Sequence, residues 1–96
     1  MEVRWSQSAL SDVDLIHDYI AQDSDKYARK TVEKFFTRVL ALRSNPMLGR
    51  TVPEYNDPNI RELLEGNYRI VYRIKTDSIN IARVHHSAQD ISNKPL

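Results

Sequence analysis

Tyr68 to Ile74 reads YRIVYRI, seven residues in unbroken alternation. Successive side chains of a strand point to opposite faces, so Tyr68, Ile70, Tyr72 and Ile74 share one face and Arg69, Val71 and Arg73 the other. The first face is suited to burial, while the second offers two cations. Just upstream, Ile60 to Leu64 reads as a strand, and Gly66-Asn67 suits a two-residue hairpin turn in which glycine supplies the positive φ. Downstream, Thr76, Asp77 and Ser78 form the next turn and Ile79 to His86 a further strand. The second half of the chain is therefore predicted to be a three-stranded antiparallel meander.

In the first half the hydrophobic period changes from two to about 3.6. Ala9, Val13, Ile16 and Ile20 recur at helical spacing, with Leu10, Leu15 and Tyr19 widening the stripe. Ser6 or Ser8 can cap this helix by accepting from a free N–H of its first turn. Asp23, Ser24 and Asp25 break it and start a second helix on Ala28, Val32, Phe35, Val39 and Leu42, which the Asn45-Pro46 step ends. The short connection demands an antiparallel helix hairpin. Glu2 to Trp5 is a candidate strand with Val3 and Trp5 on one face, the Phe35-Phe36 pair reads as core, and Met47 to Asn59 reads as a loop. The predicted class is α+β: an N-terminal strand, an antiparallel helix hairpin, then the meander, with both helices packed on one face of the sheet. Residues 1–96 are read as one domain, with a mobile tail from Ser92 to Leu96.

Composition narrows the function classes. There are no cysteines, which excludes disulfides, zinc–thiolate sites and cysteine nucleophiles and fits a cytoplasmic location. No apolar run approaches the roughly 18–20 residues of a membrane span, and the N-terminus does not read as a signal peptide. No metal-ligand pattern is present and no cofactor is expected. The net charge is only +1, which gives little bulk attraction for nucleic acid. Charge is nonetheless sorted by segment: Lys26 to Arg43 holds six basic residues and one acidic residue.

With the helices over Ile70 and Tyr72, the other sheet face is expected to stay open. Arg69, Arg73 and one of the adjacent histidines His85 and His86 should line it, with Arg61 across the hairpin on an undetermined face. Such a surface suits a carboxylate-rich partner or a phosphate backbone, because guanidinium groups bind oxyanions bidentately. In the plainer reading the arginines pair with Glu54, Glu62 and Glu65. A histidine grouped with Glu54 and Arg69 would have the elements of metal-free RNA cleavage: base, acid and a cation for the phosphorane.

Four segments carry a family resemblance: VRWSQSALSDVDLIHDYIA (Val3 to Ala21), NPMLGRTVPE (Asn45 to Glu54), RELLEGNYRIVYRI (Arg61 to Ile74) and RVHHSAQDI (Arg83 to Ile91). Their order is similar to that of the ParE/RelE superfamily of bacterial toxins from toxin–antitoxin pairs. Arg83, His86 and Asp90 fall where ParE-like sequences carry Arg, His and Asp. The resemblance implies a toxin that poisons DNA gyrase by binding and is neutralised by a cognate antitoxin, with operator DNA met only through that antitoxin. Arg61, Arg69, Arg73, Arg83 and His86 are then the antitoxin- or target-binding candidates. The other branch of the superfamily cleaves mRNA on the ribosome. Its YoeB-type members use Glu, Arg and His, to which Glu54, Arg69 and His86 correspond. The near-neutral charge and the lack of any tyrosine after Tyr72 favour the ParE side.

Overall fold

The structure is a computed structural model that describes residues 1–92 and 96. Strand β1 (Glu2–Trp5) leads into helices α1 (Gln7–Ala21) and α2 (Asp25–Leu40), the latter extended by a 3-10 turn at Ala41–Arg43. Strands β2 (Arg50–Thr51), β3 (Ile60–Glu65), β4 (Tyr68–Ile74) and β5 (Ser78–His86) follow. Both predicted caps form: Ser6 Oγ accepts from Ala9 N and Ser24 Oγ from Tyr27 N, each at 3.0 Å. Gly66 has φ +57°, as the hairpin turn requires.

The sheet order is β1-β5-β4-β3-β2. β1 runs parallel to β5, from Glu2↔Ser78 to Trp5↔Ile81, and every other pair is antiparallel. The helix hairpin covers one face. Ala9 and Val13 of α1 and Phe35 and Val39 of α2 pack on Leu63, Ile70, Tyr72, Ile79, Ile81 and Val84. Phe35 meets Tyr68 edge-on, with ring centroids 5.4 Å apart. Trp5 packs against this core, but Phe36 lies at its rim, its ring tilted against Trp5 and partly exposed. The alternating stripe of YRIVYRI is thus buried as the sequence predicted.

Two expectations are corrected. The Met47–Asn59 stretch is not wholly loop, because Arg50 and Thr51 pair with Glu62 and Arg61 as a fifth, edge strand. The second sheet face is not open over β3 and β4. Val52, Ile60, Val71 and Ile91 form a second buried cluster there, with Tyr55 and Leu96 against it. The loop after β2 and the segment after β5 fold back because Val71 and Ile60 present apolar surface between the arginines, and covering it is favourable. The tail from Ser92 to Leu96, expected to be mobile, is described only in part. Leu96 packs on this cluster and Ser92 N donates to Asp90 Oδ1, while residues 93–95 lie outside the described set.

A β-bulge interrupts the β4–β5 register. Val71 is opposite Arg83 but Tyr72 is opposite Ile81, so Ala82 is the extra residue. The bulge changes the parity of β5. Ile79 and Ile81 face the helices before it, and Val84 and His86 after it, while Arg83 and His85 turn to the other side.

Candidate functional site

The candidate residues disperse. Arg69 is buried, 5% exposed, beneath the loop after β2. Its Nε donates to Glu62 Oε1 at 2.6 Å, and its Nη1 and Nη2 donate to the two oxygens of Glu54, each at 2.7 Å. Nη1 also donates to the Gln89 carbonyl at 3.0 Å. Glu62 is fully buried, and its second oxygen accepts from Arg50 Nε at 2.7 Å. Glu54 Oε2 is 3.4 Å from Ile91 N, and Tyr55 Oη donates to the Ile91 carbonyl at 2.9 Å. One guanidinium therefore ties together β3, β4, the loop at 52–55 and the segment at 89–91. Hydrogen bonding to Arg69 holds the Glu54 carboxyl down at about 2, and the same bonds push Arg69 further up. Of the plainer pairings, those with Glu54 and Glu62 are the ones formed.

His86 does not join this group. It lies on the helix side of the sheet, opposite Tyr68, with ring centroids 5.8 Å apart, and its Nδ1 accepts from Ala88 N. His85 is the cross-strand partner of Arg69, and it is buried. Glu54, Arg69 and His86 are thus not brought together. The bulge is the reason: it sets which histidine faces which way.

Arg83 Nε and Nη2 donate to the two oxygens of Asp12 on α1 at 2.8 and 3.0 Å. Asp12 Oδ2 also accepts from Val84 N at 2.9 Å, so one carboxylate closes the β5 edge where β1 ends. Arg61 lies on the helix side of the sheet, opposite Tyr72, and not beside Arg69. Its Nε and Nη1 donate to the carbonyls of Pro58 and Gly49. Arg73 is exposed, and among the described residues nothing pairs with its side chain. Of the five named binding residues, Arg73 and His86 are the exposed ones.

A groove beside the helix hairpin, formed in part by apolar residues of the first helix, is present as the sequence led one to expect. It has a volume of about 420 Å³ and runs between α1 and the end of β5, lined by Leu15, Ile16, Tyr19, Tyr68, Val84 and His86 among others. Leu15 is 69% and Tyr19 72% exposed, unusual for large apolar side chains four apart on one helix. The sequence signal was the width of the α1 stripe, which exceeds what one packing face needs. No group of three His, Cys, Asp or Glu among the described residues could hold a metal ion. No helix of the described residues is long and apolar enough to cross a membrane.

Two helices on one face of this five-stranded sheet make the RelE/ParE-like toxin fold. The toxin structure of the chromosomal ParDE toxin–antitoxin system of P. aeruginosa superposes with a TM-score of 0.74 at 28% identity, covering 90% of this chain and 95% of that one. A YoeB/ParE toxin from Agrobacterium tumefaciens (TM-score 0.62, 14% identity, 90% and 98% covered) and the YoeB dimer from Staphylococcus aureus (0.63, 20%, 90% and 95%) share the fold. No curated protein matches the sequence. The family model described as the ParE toxin of the type II toxin–antitoxin system parDE matches residues 3–91, and the chain belongs to that family.

Proposed function

We propose that this toxin inhibits DNA gyrase by binding, in the cytoplasm, as a single toxin domain spanning residues 1–96 that a cognate antitoxin neutralises. The observation that supports binding over nuclease chemistry is the fate of the Glu54, Arg69 and His86 set. Glu54 and Arg69 saturate each other beneath the loop, and His86 stands on the opposite face of the sheet. A general base held at about pH 2 by its partner arginine is a weak proton acceptor. With excess folded protein, plasmid supercoiling by purified gyrase should fall and linear cleaved DNA accumulate. Undiminished supercoiling would sink the gyrase reading. Cleavage of mRNA on programmed ribosomes that is lost in His86→Ala would put the ribonuclease reading in its place.

The antitoxin site in this proposal is the groove between α1 and β5. Its exposed Leu15 and Tyr19 sit at the i, i+4 spacing that receives an amphipathic helix. His86 lines the same groove, while Arg73 is the exposed cation left to meet antitoxin carboxylates on the other face. Arg61, Arg69 and Arg83, engaged internally, shape the surface instead of contacting the partner. Because aromatic and apolar anchors dominate such interfaces, Leu15→Glu with Tyr19→Ala is expected to weaken antitoxin binding by about 30-fold or more. Arg73→Glu should have a smaller effect. Isothermal titration measures both, and an unchanged affinity for the double variant would remove the groove from the interface.

A further inference from the structure

Lys26, Lys30, Lys34 and Arg38 occupy every fourth position of α2. At helical rise they form a row on its outer face, with steps of about 6 Å and a total length of about 18 Å. The three lysines are exposed and Arg38 is half-buried. None of the four makes an ion pair with a described residue, whereas Arg50, Arg69 and Arg83 all do. The arrangement opposes folding. Each neighbouring pair is a like-charge pair at i, i+4, and Lys26 sits at the positive end of the helix dipole. With a net charge of only +1, general solubility does not explain one sign of charge concentrated in one row.

We propose that this row binds the phosphate backbone of duplex DNA without reading its sequence. An inclined row of cations on a rigid helix offers regularly spaced charge to a rigid polyanion whose own charge is regularly spaced. Single strands are gripped by stacking on aromatic rings. The shallow depression beside the row, lined by Lys30, Glu33, Lys34, Thr37, Arg38 and Glu65, holds no aromatic ring, and the exposed Tyr27 lines the adjoining depression with Gly66 and Asn67 instead. Nor does that depression hold a large apolar side chain, the usual anchor for an acidic protein segment. Glu33 and Glu65 keep the binding modest. The depression shares no residue with the α1–β5 groove, so DNA and a helix seated in that groove can be held together.

Anisotropy of a labelled duplex of about 20 base pairs, titrated with the purified chain without gyrase or antitoxin, tests this. Three to four phosphate contacts predict a loss of affinity of about 40- to 150-fold between 50 and 200 mM salt. Lys30→Glu with Lys34→Glu should weaken binding by at least about 10-fold and reduce the salt slope by about two contacts' worth. Arg4→Glu with Lys75→Glu, the same change of net charge on β1 and the β4–β5 turn, should leave binding within about 3-fold of the parent. Absence of binding at 50 mM salt by protein shown to be folded overturns the proposal, and so does an equal loss in both variants. Tighter binding to a single-stranded RNA of the same length, lost in the α2 variant, overturns the assignment to duplex DNA. Because no gyrase is present, none of these results depends on the toxin's target.

Discussion

Arg69→Ala is expected to lower folding stability by about 3–5 kcal/mol at neutral pH, the range for removing one partner of a buried ion pair. The Arg69 side chain is 6% exposed, and its partners Glu54 and Glu62 are 18% and 0% exposed, so water cannot replace the lost bonds. The loss also frees the Gln89 carbonyl and loosens the covering segments over Val71. Urea denaturation of both proteins from pH 7 to pH 3 tests the cause. In the parent, Glu54 has its carboxyl lowered from 4.5 to about 2. A lowered folded-state value means stability that is full above about pH 4.5 and is lost as the pH falls toward 2, up to about 3 kcal/mol in all. In the variant, Glu54 loses the cation that lowers its carboxyl, while Glu62 keeps Arg50, so acid costs the variant less than it costs the parent. The gap between the proteins should narrow as the pH falls. A gap that stays constant from pH 7 to pH 3 would show that the stabilisation is packing, not charge.

Gly49→Ala should destabilise by about 3 kcal/mol, at the upper end of the usual range for overpacking. A Cβ there would lie 2.5 Å from the Glu62 carbonyl, 2.7 Å from Tyr72 Oη and 2.8 Å from Tyr72 Cε1. None of these can yield easily. Glu62 O belongs to the middle of β3, and Tyr72 is fully buried, with its Oη donating to the Pro46 carbonyl at 2.8 Å and accepting from Gly49 N at 2.9 Å. Relief requires moving β2 away from β3, which also disturbs Arg50–Glu62 and Arg61–Gly49. For a chain of this size the thermal midpoint should fall by about 12–24 °C. Gly66→Ala is the contrast. Its φ of +57° is strained for alanine, but no atom lies within 4 Å of the added carbon, so a loss of about 1 kcal/mol is expected. Equal losses at the two sites would mean that crowding at Tyr72 is not what requires glycine at 49.

Much of the fold was legible because it is written in local periods. Ala9, Val13, Phe35 and Val39 recur at helical spacing, and Ile70 and Tyr72 alternate, so each element announced its buried face. Gly66-Asn67 and the two serine caps fixed boundaries through chemistry within a few residues. The strand at Arg50–Thr51 was not legible, because a two-residue edge strand has no period. The candidate site was legible only as a set of residue types. Glu54 and Glu62 were legible as possible partners of the arginines, but the pairing of Asp12 with Arg83, 71 residues apart, was not, because nothing local joins such distant positions.

The sequence by itself determined two amphipathic helices, a hairpin-linked meander and membership of a toxin family, since each rests on periodicity, turn chemistry or motif order. Only the tertiary structure decided where the arginines and histidines stand and what they pair with. One extra residue at Ala82 reverses the alternation of β5, sending His86 toward Tyr68 and His85 toward Arg69. The apolar surface of Ile60 and Val71 draws two covering segments over Arg69 and brings Glu54 down upon it. Burial then favours an arginine saturated by carboxylates over an open cation, because a charge removed from water is tolerated only when paired.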